Sequence, residues 1–378
     1  MKIIVVGNSA GSILGFRLPL IMDFLNDGHS VTVVSNNFNG DDISFLNSIN
    51  VTPISYDLEA SGINPFKELR TIVQLYKLFK KFKPDIIFSY FTKPVIYSSI
   101  GAKLAGVKLI IGMIEGLGIT YTISPEGKQL KQKIIIGIQS VFYYISSFCI
   151  DKLIVLNKDD EFFFKRWFRF KSIINIGGIG VDLEKYKFTQ LKTTPFNFLF
   201  IGRLFREKGI LNFLNAAEKI KKLYPKVTFT VLGSIDEKNL NSISKEFLEQ
   251  YVDNSVIIFP GHVANVIEYI INATVFVLPS YYREGLPRST QEALAIGRPV
   301  ITTSIAGCAE TVINNVNGKI VDLYDYNSLY EAMEYMIINK DILPQMGKVS
   351  RKIAEEKYDI KKINLKILSI LNLNINKE

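Results

Sequence analysis

The sequence predicts an α/β protein built of two Rossmann-like, doubly wound domains facing a central cleft. Three observations carry this expectation. Short β-branched runs alternate with longer amphipathic stretches along the whole chain, the pattern of βαβ units and parallel sheets. A polar lapse with a proline at residues 189–195 (TQLKTTP) separates two series of such runs. The 378 residues, 48% of them apolar and 21% charged, also suffice for two hydrophobic cores of roughly 180 residues each.

In the first series, KIIVV at 2–6, SVTVV at 30–34, DIIF at 85–88, KLIIG at 108–112 and KLIVL at 152–156 read as buried strands. Amphipathic stretches such as 66–82 lie between them, so residues 1–190 form one domain. A new first strand, FNFLFI, begins at 196. It is followed by VTFTVL at 227–232, SVIIF at 255–259, TVFVL at 274–278 and PVIT at 299–302, which makes 195–350 a second domain. A last helix over about 349–371 has no strand after it, and the segment 351–378 is free to pack back on the first domain. Two open α/β sheets in tandem present the loops at the carboxyl ends of their strands, where ligands bind.

Charge narrows the partner. Forty-five Lys and Arg against 36 Asp and Glu leave +9, and residues 67–133 hold 12 basic and 4 acidic side chains, or +8 of it. An anionic partner is implied: nucleic acid, anionic lipid or a phosphorylated substrate. No helix-turn-helix, zinc finger or stacked-aromatic RNA signature is legible, so nucleic acid is not expected. Cys149 and Cys308 lie far apart and His29 and His262 are the only histidines, which leaves no disulfide framework and no metal site. The first apolar run stops at Gly7, too short for a signal peptide, and a cytoplasmic location follows. Residues 134–150 run 17 positions without a charge, short of the roughly 20 apolar residues of a membrane span, and read as a buried or interfacial helix.

Three segments carry chemistry. GNSAGSILG after the first strand places Gly7, Gly11 and Gly15 at a strand-to-helix turn. It is not a G-x-G-x-x-G, and Val34 is followed by Ser35 and Asn36 rather than an acidic ribose ligand, so a NAD dehydrogenase is not expected. At Gly11, tight turning and close approach of a ligand are both open. IGRLFREKG at 201–209 sets Arg203 and Lys208 just beyond a buried strand, where two cations can neutralise a diphosphate; a solvated loop is the alternative. PSYYREGLPRSTQEALAIGRPVITTSIAGCAETV at 279–312 carries Glu284 and Glu292 with seven residues between them. Pro287 suits a helix start, where free amides at Gly285 and Leu286 can face an anion.

The string EGLPRSTQE followed by ALAIGRPVI resembles the E-x7-E signature of retaining glycosyltransferases of family 4, and GRLFREKG resembles their diphosphate-binding segment. EGLG at 115–118, GGIGVDLEKY at 177–186 and GCAET at 307–311 match as well, so the likeness covers the whole chain. The resemblance implies the GT-B fold, with the donor nucleotide mainly on the second domain and the acceptor mainly on the first. Carried over by position, Arg203 and Lys208 bind the donor pyrophosphate, Glu284 lies beside donor sugar and phosphates, and Glu292 bonds the ribose. The amides of Gly285 and Leu286 help cradle the diphosphate, and His262 lies in the loop passing the base.

Many members carry a histidine in the first domain near the reacting sugar; here Glu115 to Gly118 stand in that region. That departure resembles a bacterial subgroup acting on undecaprenyl-diphosphate sugars in surface-glycan and protein-glycosylation pathways, in which EGLG and the Phe16, Arg17 pair recur. It makes Glu115 a candidate for the acceptor hydroxyl. The implied reaction moves a sugar, favoured as N-acetylgalactosamine or another N-acetylhexosamine, from a UDP donor to a lipid-diphosphate-linked saccharide through an α linkage. No cofactor and no metal are implied, and the chain has no Asp-x-Asp. Another UDP-hexose, GDP-mannose, a UDP-sugar 2-epimerase or a non-catalytic nucleotide-sugar-binding protein remain as alternatives.

The basic stretch then has a partner in the inner face of the cytoplasmic membrane. Residues 66–83 read as an amphipathic helix with Leu69, Ile72, Val73, Leu75, Tyr76 and Phe79 available to a buried face and Lys77, Lys80, Lys81 and Lys83 near its end. Core packing and docking on anionic lipid are both open for it. Lys128 and Lys131 begin a second basic and apolar element over 128–148, and Arg17 joins these lysines as an acceptor or membrane residue.

Overall fold

The computed structural model describes residues 1–58, 65–127, 129–236, 239 and 241–373. The chain forms two compact units. The first takes Met1–Thr120, Gln129–Ile179 and the chain from Lys361 onward; the second takes Gly180–Ile360 and a stretch starting at Tyr121.

The first unit holds seven parallel strands: β1 Lys2–Val6, β2 Ser30–Ser35, β3 Val51–Ser55, β4 Ile86–Tyr90, β5 Leu109–Ile114, β6 Lys152–Val155 and β7 Ile173–Asn175. Their order across the sheet is β3-β2-β1-β4-β5-β6-β7, the doubly wound order that reverses between β1 and β4. The helices are α1 Ala10–Ser12, α2 Leu18–Asn26, α3 Gly40–Ser48, α4 Pro65–Phe82, α5 Thr92–Ala105, α6 Leu130–Ser147 and α7 Lys158–Trp167, with Ile13–Arg17 wound as a π-helix between α1 and α2. Central strands are apolar throughout because helices cover both faces; every residue of β4 is buried.

The second unit holds β8 Asn197–Ile201, β9 Thr228–Leu232, β10 Ile258–Gly261, β11 Val275–Leu278, β12 Val300–Thr303 and β13 Gly318–Val321. All are parallel in the order β10-β9-β8-β11-β12-β13, which reverses between β8 and β11. Its helices are α8 Ile210–Leu223, α9 Lys245–Asp253, α10 Ile267–Ile271, α11 Arg288–Ile296, α12 Tyr326–Ile338 and α13 Leu343–Lys357; α14 Ile360–Ile370 follows. The stretch ahead of the polar lapse belongs to this unit: Gly180 N–H donates to Gln291, and Val181 bridges to Asp359.

Two expectations change. The last helix is not continuous over 349–371; it breaks at Tyr358 and Asp359, where the backbone pairs with Val181 in N–H···O bonds in both directions. Beyond the break, Asn364 Nδ2 on α14 donates to Asp23 Oδ2 at 2.6 Å, and Lys152 Nζ donates to the Ile370 carbonyl. On α4, Ile72, Leu75 and Phe79 are buried, whereas Leu69 and Val73 are exposed. The buried face is completed instead by Glu68 and Thr71; Glu68 accepts from Lys93 Nζ at 2.9 Å. No described helix is long and apolar enough to cross a membrane.

Candidate functional site

In the second unit the two motif segments leave the carboxyl ends of β8 and β11, neighbouring strands at the point where strand order reverses. That position is where open α/β sheets bind ligands, because the loops on either side diverge and leave a crevice. From β8 the chain passes Gly202 and the exposed Arg203 into a 3-10 turn, Arg206–Lys208. Gly209 ends the turn at φ 79°, and a Cβ there would overlap the Pro279 carbonyl just beyond β11. Only glycine allows this approach. The Glu207 carbonyl then accepts from Tyr281 N–H at 2.8 Å, Tyr282 N–H at 3.0 Å and Ser280 Oγ at 3.2 Å, tying the first motif segment to the second.

The result is a buried ion pair between Lys208 Nζ and Glu284 Oε1, with side chains 13% and 11% exposed. Lys208 Nζ also stands 5.1 Å from the centre of the Tyr282 ring. The exposed guanidinium of Arg203 lies 4.7 Å from the Phe205 ring centre. Behind the pair, Cys308 is fully buried, and burial with the Glu284 carboxylate pushes its thiol up to about 12, so it acts as a small neutral spacer. Gly307 before it passes so close to the Gly285 carbonyl that a side chain would overlap.

Pro287 is the N-cap of α11 and makes no side-chain cap bond. The N-cap side chain of this nine-residue helix thus takes up none of its first-turn amides, and the helix start carries the partial positive charge that favours an anion. Gly285 and Leu286, in the approach to this turn, are buried. Glu292 lies about one and a half turns in, and its Oε1 accepts from Tyr186 Oη at 2.8 Å and Arg288 Nε at 2.9 Å. The carboxylate is thereby held in one orientation, and burial beside it raises the Tyr186 hydroxyl well above the usual tyrosine range. His262 is exposed just past the end of β10.

The first unit has its own reversal point, between β1 and β4. A Cβ on Gly7 would overlap the Tyr90 hydroxyl, which bonds Ser12 Oγ at 2.9 Å; Gly7→Ala is expected to destabilise by about 2 kcal/mol through the displaced tyrosine, read from urea unfolding. Gly11, on α1, is exposed with open space where a side chain would be. The π-helix turns Arg17 inward, where it is 2% exposed, lies 4.7 Å from the Tyr90 ring centre and pairs with Glu115. Arg17 is therefore not a membrane-facing cation, which corrects that part of the expectation. Lys77, Lys80, Lys81 and Lys131 are exposed, and Lys128 lies outside the described residues.

The structure thus pairs Lys208 with Glu284 in one unit, with the exposed Arg203 five residues earlier on the same β8 loop, and Arg17 with Glu115 in the other. Sequence reasoning missed Tyr186, Arg288, Ser12 and Tyr90. Arg288 was legible as the i, i+4 partner of Glu292; Tyr186 stands 106 positions from Glu292 and has no local signal.

Comparison with known proteins agrees with this geometry. Residues 182–358 match the family described as glycosyl transferases group 1, and residues 2–147 match glycosyl transferase 4-like. The chain is 29% identical, over 80% of its length and 78% of the relative's, to UDP-Gal:alpha-D-GlcNAc-diphosphoundecaprenol alpha-1,3-galactosyltransferase of Escherichia coli. It is 24% identical, over 92% of both chains, to N,N'-diacetylbacillosaminyl-diphospho-undecaprenol alpha-1,3-N-acetylgalactosaminyltransferase of Campylobacter jejuni. The crystal structure of Anabaena HepE in complex with UDP-glucose superposes with a TM-score of 0.75 over 98% of this chain and 99% of that one, at 17% identity. With a family match on each half and both sheets in the expected order, the chain belongs to the group 1 and 4-like glycosyltransferases, hexosyltransferases of the GT-B fold.

Proposed function

We propose that this glycosyltransferase moves a sugar from a UDP donor to an undecaprenyl-diphosphate-linked saccharide with retention, forming an α linkage, while resting on the inner face of the cytoplasmic membrane. The favoured sugar is N-acetylgalactosamine or another N-acetylhexosamine. The Lys208–Glu284 pair at the β8/β11 reversal point is the observation that carries the reading. Support for the substrates comes from the two relatives, both named for α-1,3 transfer to diphosphoundecaprenol sugars.

The barrier to transfer lies in the charge that develops on the departing diphosphate. Lys208 has three donors and commits one to Glu284, which fixes the ammonium while leaving two for phosphate oxygens. The exposed Arg203 adds a planar fork, and the start of α11, whose N-cap Pro287 makes no side-chain bond, adds the positive end of the helix. These groups are set before substrate arrives and need no metal. In a front-face reaction the donor's own phosphate oxygen takes the acceptor proton as the sugar–phosphate bond breaks and the new glycosidic bond forms. Glu292, locked by Tyr186 and Arg288, is oriented for a ribose hydroxyl through its remaining oxygen.

A panel of UDP- and GDP-sugars, read by nucleotide release with and without a polyprenyl-diphosphate acceptor, tests the assignment. Release from a UDP-N-acetylhexosamine that depends on acceptor is expected; release from no hexosamine donor would remove the favoured sugar, and a free epimerised nucleotide sugar would indicate the epimerase. Turnover in EDTA should equal that without it, and full dependence on added Mg²⁺ or Mn²⁺ would overturn the metal-free reading. On the acceptor side, Glu115→Gln is expected to lower kcat/KM for the acceptor about 10- to 100-fold with UDP affinity unchanged, the cost of weakening one hydrogen bond to a charged group. Equal losses toward donor and acceptor would assign Glu115 to folding instead.

A further inference from the structure

α4, α5 and α6 form one layer of the first unit. Each follows a crossover that runs in the same direction across the sheet, so right-handed connections place all three on the same face, with α5 packed against both others. On α6 the exposed large residues are Leu130, Ile134, Ile138, Val141, Tyr144 and Ile145. At 3.6 residues per turn they fall in an arc of about 120°. Tyr143, Ser146 and Ser147, on the opposite side, are the buried ones. The helix is thus apolar on both sides: Tyr143 packs inward on Phe164 and Phe168 beside the two buried serines, and a second apolar ridge is left facing out.

The charge around the ridge is one-signed. Lys131 and Lys133 are exposed at the two edges of the apolar arc, in the first turn of α6. On α4 the outward face runs from Leu69 and Val73 at one end to Lys77, Lys80 and Lys81 at the other. The three helices contain a single carboxylate, Glu68, and it is buried against Lys93. A protein partner matched to this layer would have to be acidic and apolar together along two separate helices, whereas an anionic bilayer offers both everywhere.

We propose that α6 inserts its apolar ridge into the headgroup region of an anionic bilayer while the lysines of α4 and of the first turn of α6 contact lipid phosphates. The two helices contribute differently, α6 by the apolar area it removes from water and α4 by its charge. The inference rests on a lipid-linked acceptor only for its purpose, since the surface binds acceptor-free membrane.

Flotation with acceptor-free vesicles of one-third phosphatidylglycerol in phosphatidylethanolamine, and with vesicles lacking the anionic lipid, is the test. The wild-type chain is expected on the anionic vesicles, with binding that weakens as salt rises. Replacing Lys77, Lys80 and Lys81 together by alanine should lower partitioning onto those vesicles about 100-fold, as three contacts near an anionic surface imply. Ile138→Ser with Val141→Ser should lower it about 100-fold as well, without changing its salt slope. All these positions are exposed, so circular dichroism and thermal unfolding should be unmoved.

Equal flotation with neutral and anionic vesicles, or wild-type flotation of both variants, would overturn the proposal. So would a dimer in sedimentation that Val141→Ser dissociates, because the ridge would then be a subunit contact. Activity of both variants on a short-chain, water-soluble acceptor should match wild type. A wild-type chain that floats yet uses no polyprenyl acceptor would leave docking standing and count against the substrate assignment alone.

Discussion

Lys208→Ala is expected to lower kcat by about 10²- to 10³-fold, the effect of removing one fixed donor from a site of developing negative charge. The ammonium is held by Glu284 and sits beside the Tyr282 ring, so it cannot be replaced by a mobile surface lysine. Removing it also leaves Glu284, only 11% exposed, beside no ammonium, and a fall in stability accompanies the kinetic loss. The two effects separate by measurement. Nucleotide release at saturating donor reads kcat, urea unfolding reads stability, and Lys208→Ala combined with Glu284→Gln should recover stability without recovering turnover. A kcat within threefold of wild type for the folded single variant would sink the role given to Lys208.

Arg298→Met is expected to cost about 3–5 kcal/mol of stability, the largest folding effect of any single change proposed. The side chain is fully buried, and burial lowers its guanidinium to about 10, still charged at neutral pH. It donates to the carbonyls of Ile270 and Ile271 at 2.9 Å, of Thr189 at 3.0 Å, of Gly297 at 3.2 Å and of Ile296 at 3.4 Å, and to Thr189 Oγ1 at 2.5 Å. These are the ends of α10 and α11 and the start of the polar lapse, so one residue satisfies the orphan carbonyls of two helices. Methionine fills the volume but supplies none of these donations: Ile270 and Ile296 keep backbone donors in Ala273 and Thr189 N–H, whereas the carbonyls of Ile271, Thr189 and Gly297 lose the guanidinium inside the core. The urea midpoint should drop with little change in slope, and a loss under 1 kcal/mol would mean that the helix ends rearrange to find other donors.

The strands that were legible in the sequence are almost all interior. Those that were not, β3, β7 and β13, are all at sheet edges. An edge strand covers only part of its surface, so its sequence lacks a continuous apolar run: β7 is half-buried at all three positions, and β3 carries Pro53, tolerable where an N–H faces away from the sheet. The helix reading failed on α4 for a related reason. Leu69 and Val73 have the spacing of a core face, yet Glu68 takes an inward position because Lys93 on α5 meets it there, and no pattern within 65–82 announces a partner on another helix.

The candidate site divides in the same way. Residue types and the loops that carry them were legible along the chain: Arg203 and Lys208 after one strand, Glu284 and Glu292 about a helix start. These are local properties, set by which residues tolerate a tight turn and which strands are apolar enough to be buried. Packing between distant segments adds that Lys208 is held by Glu284, that Tyr186 locks Glu292, that Arg17 turns inward onto Glu115, and that an apolar face of α6 is left outside. Each depends on partners between 76 and 106 positions away, or on the absence of a covering element among the described residues. Such pairings are selected by the order of strands in the sheets, which short-range periodicity does not encode.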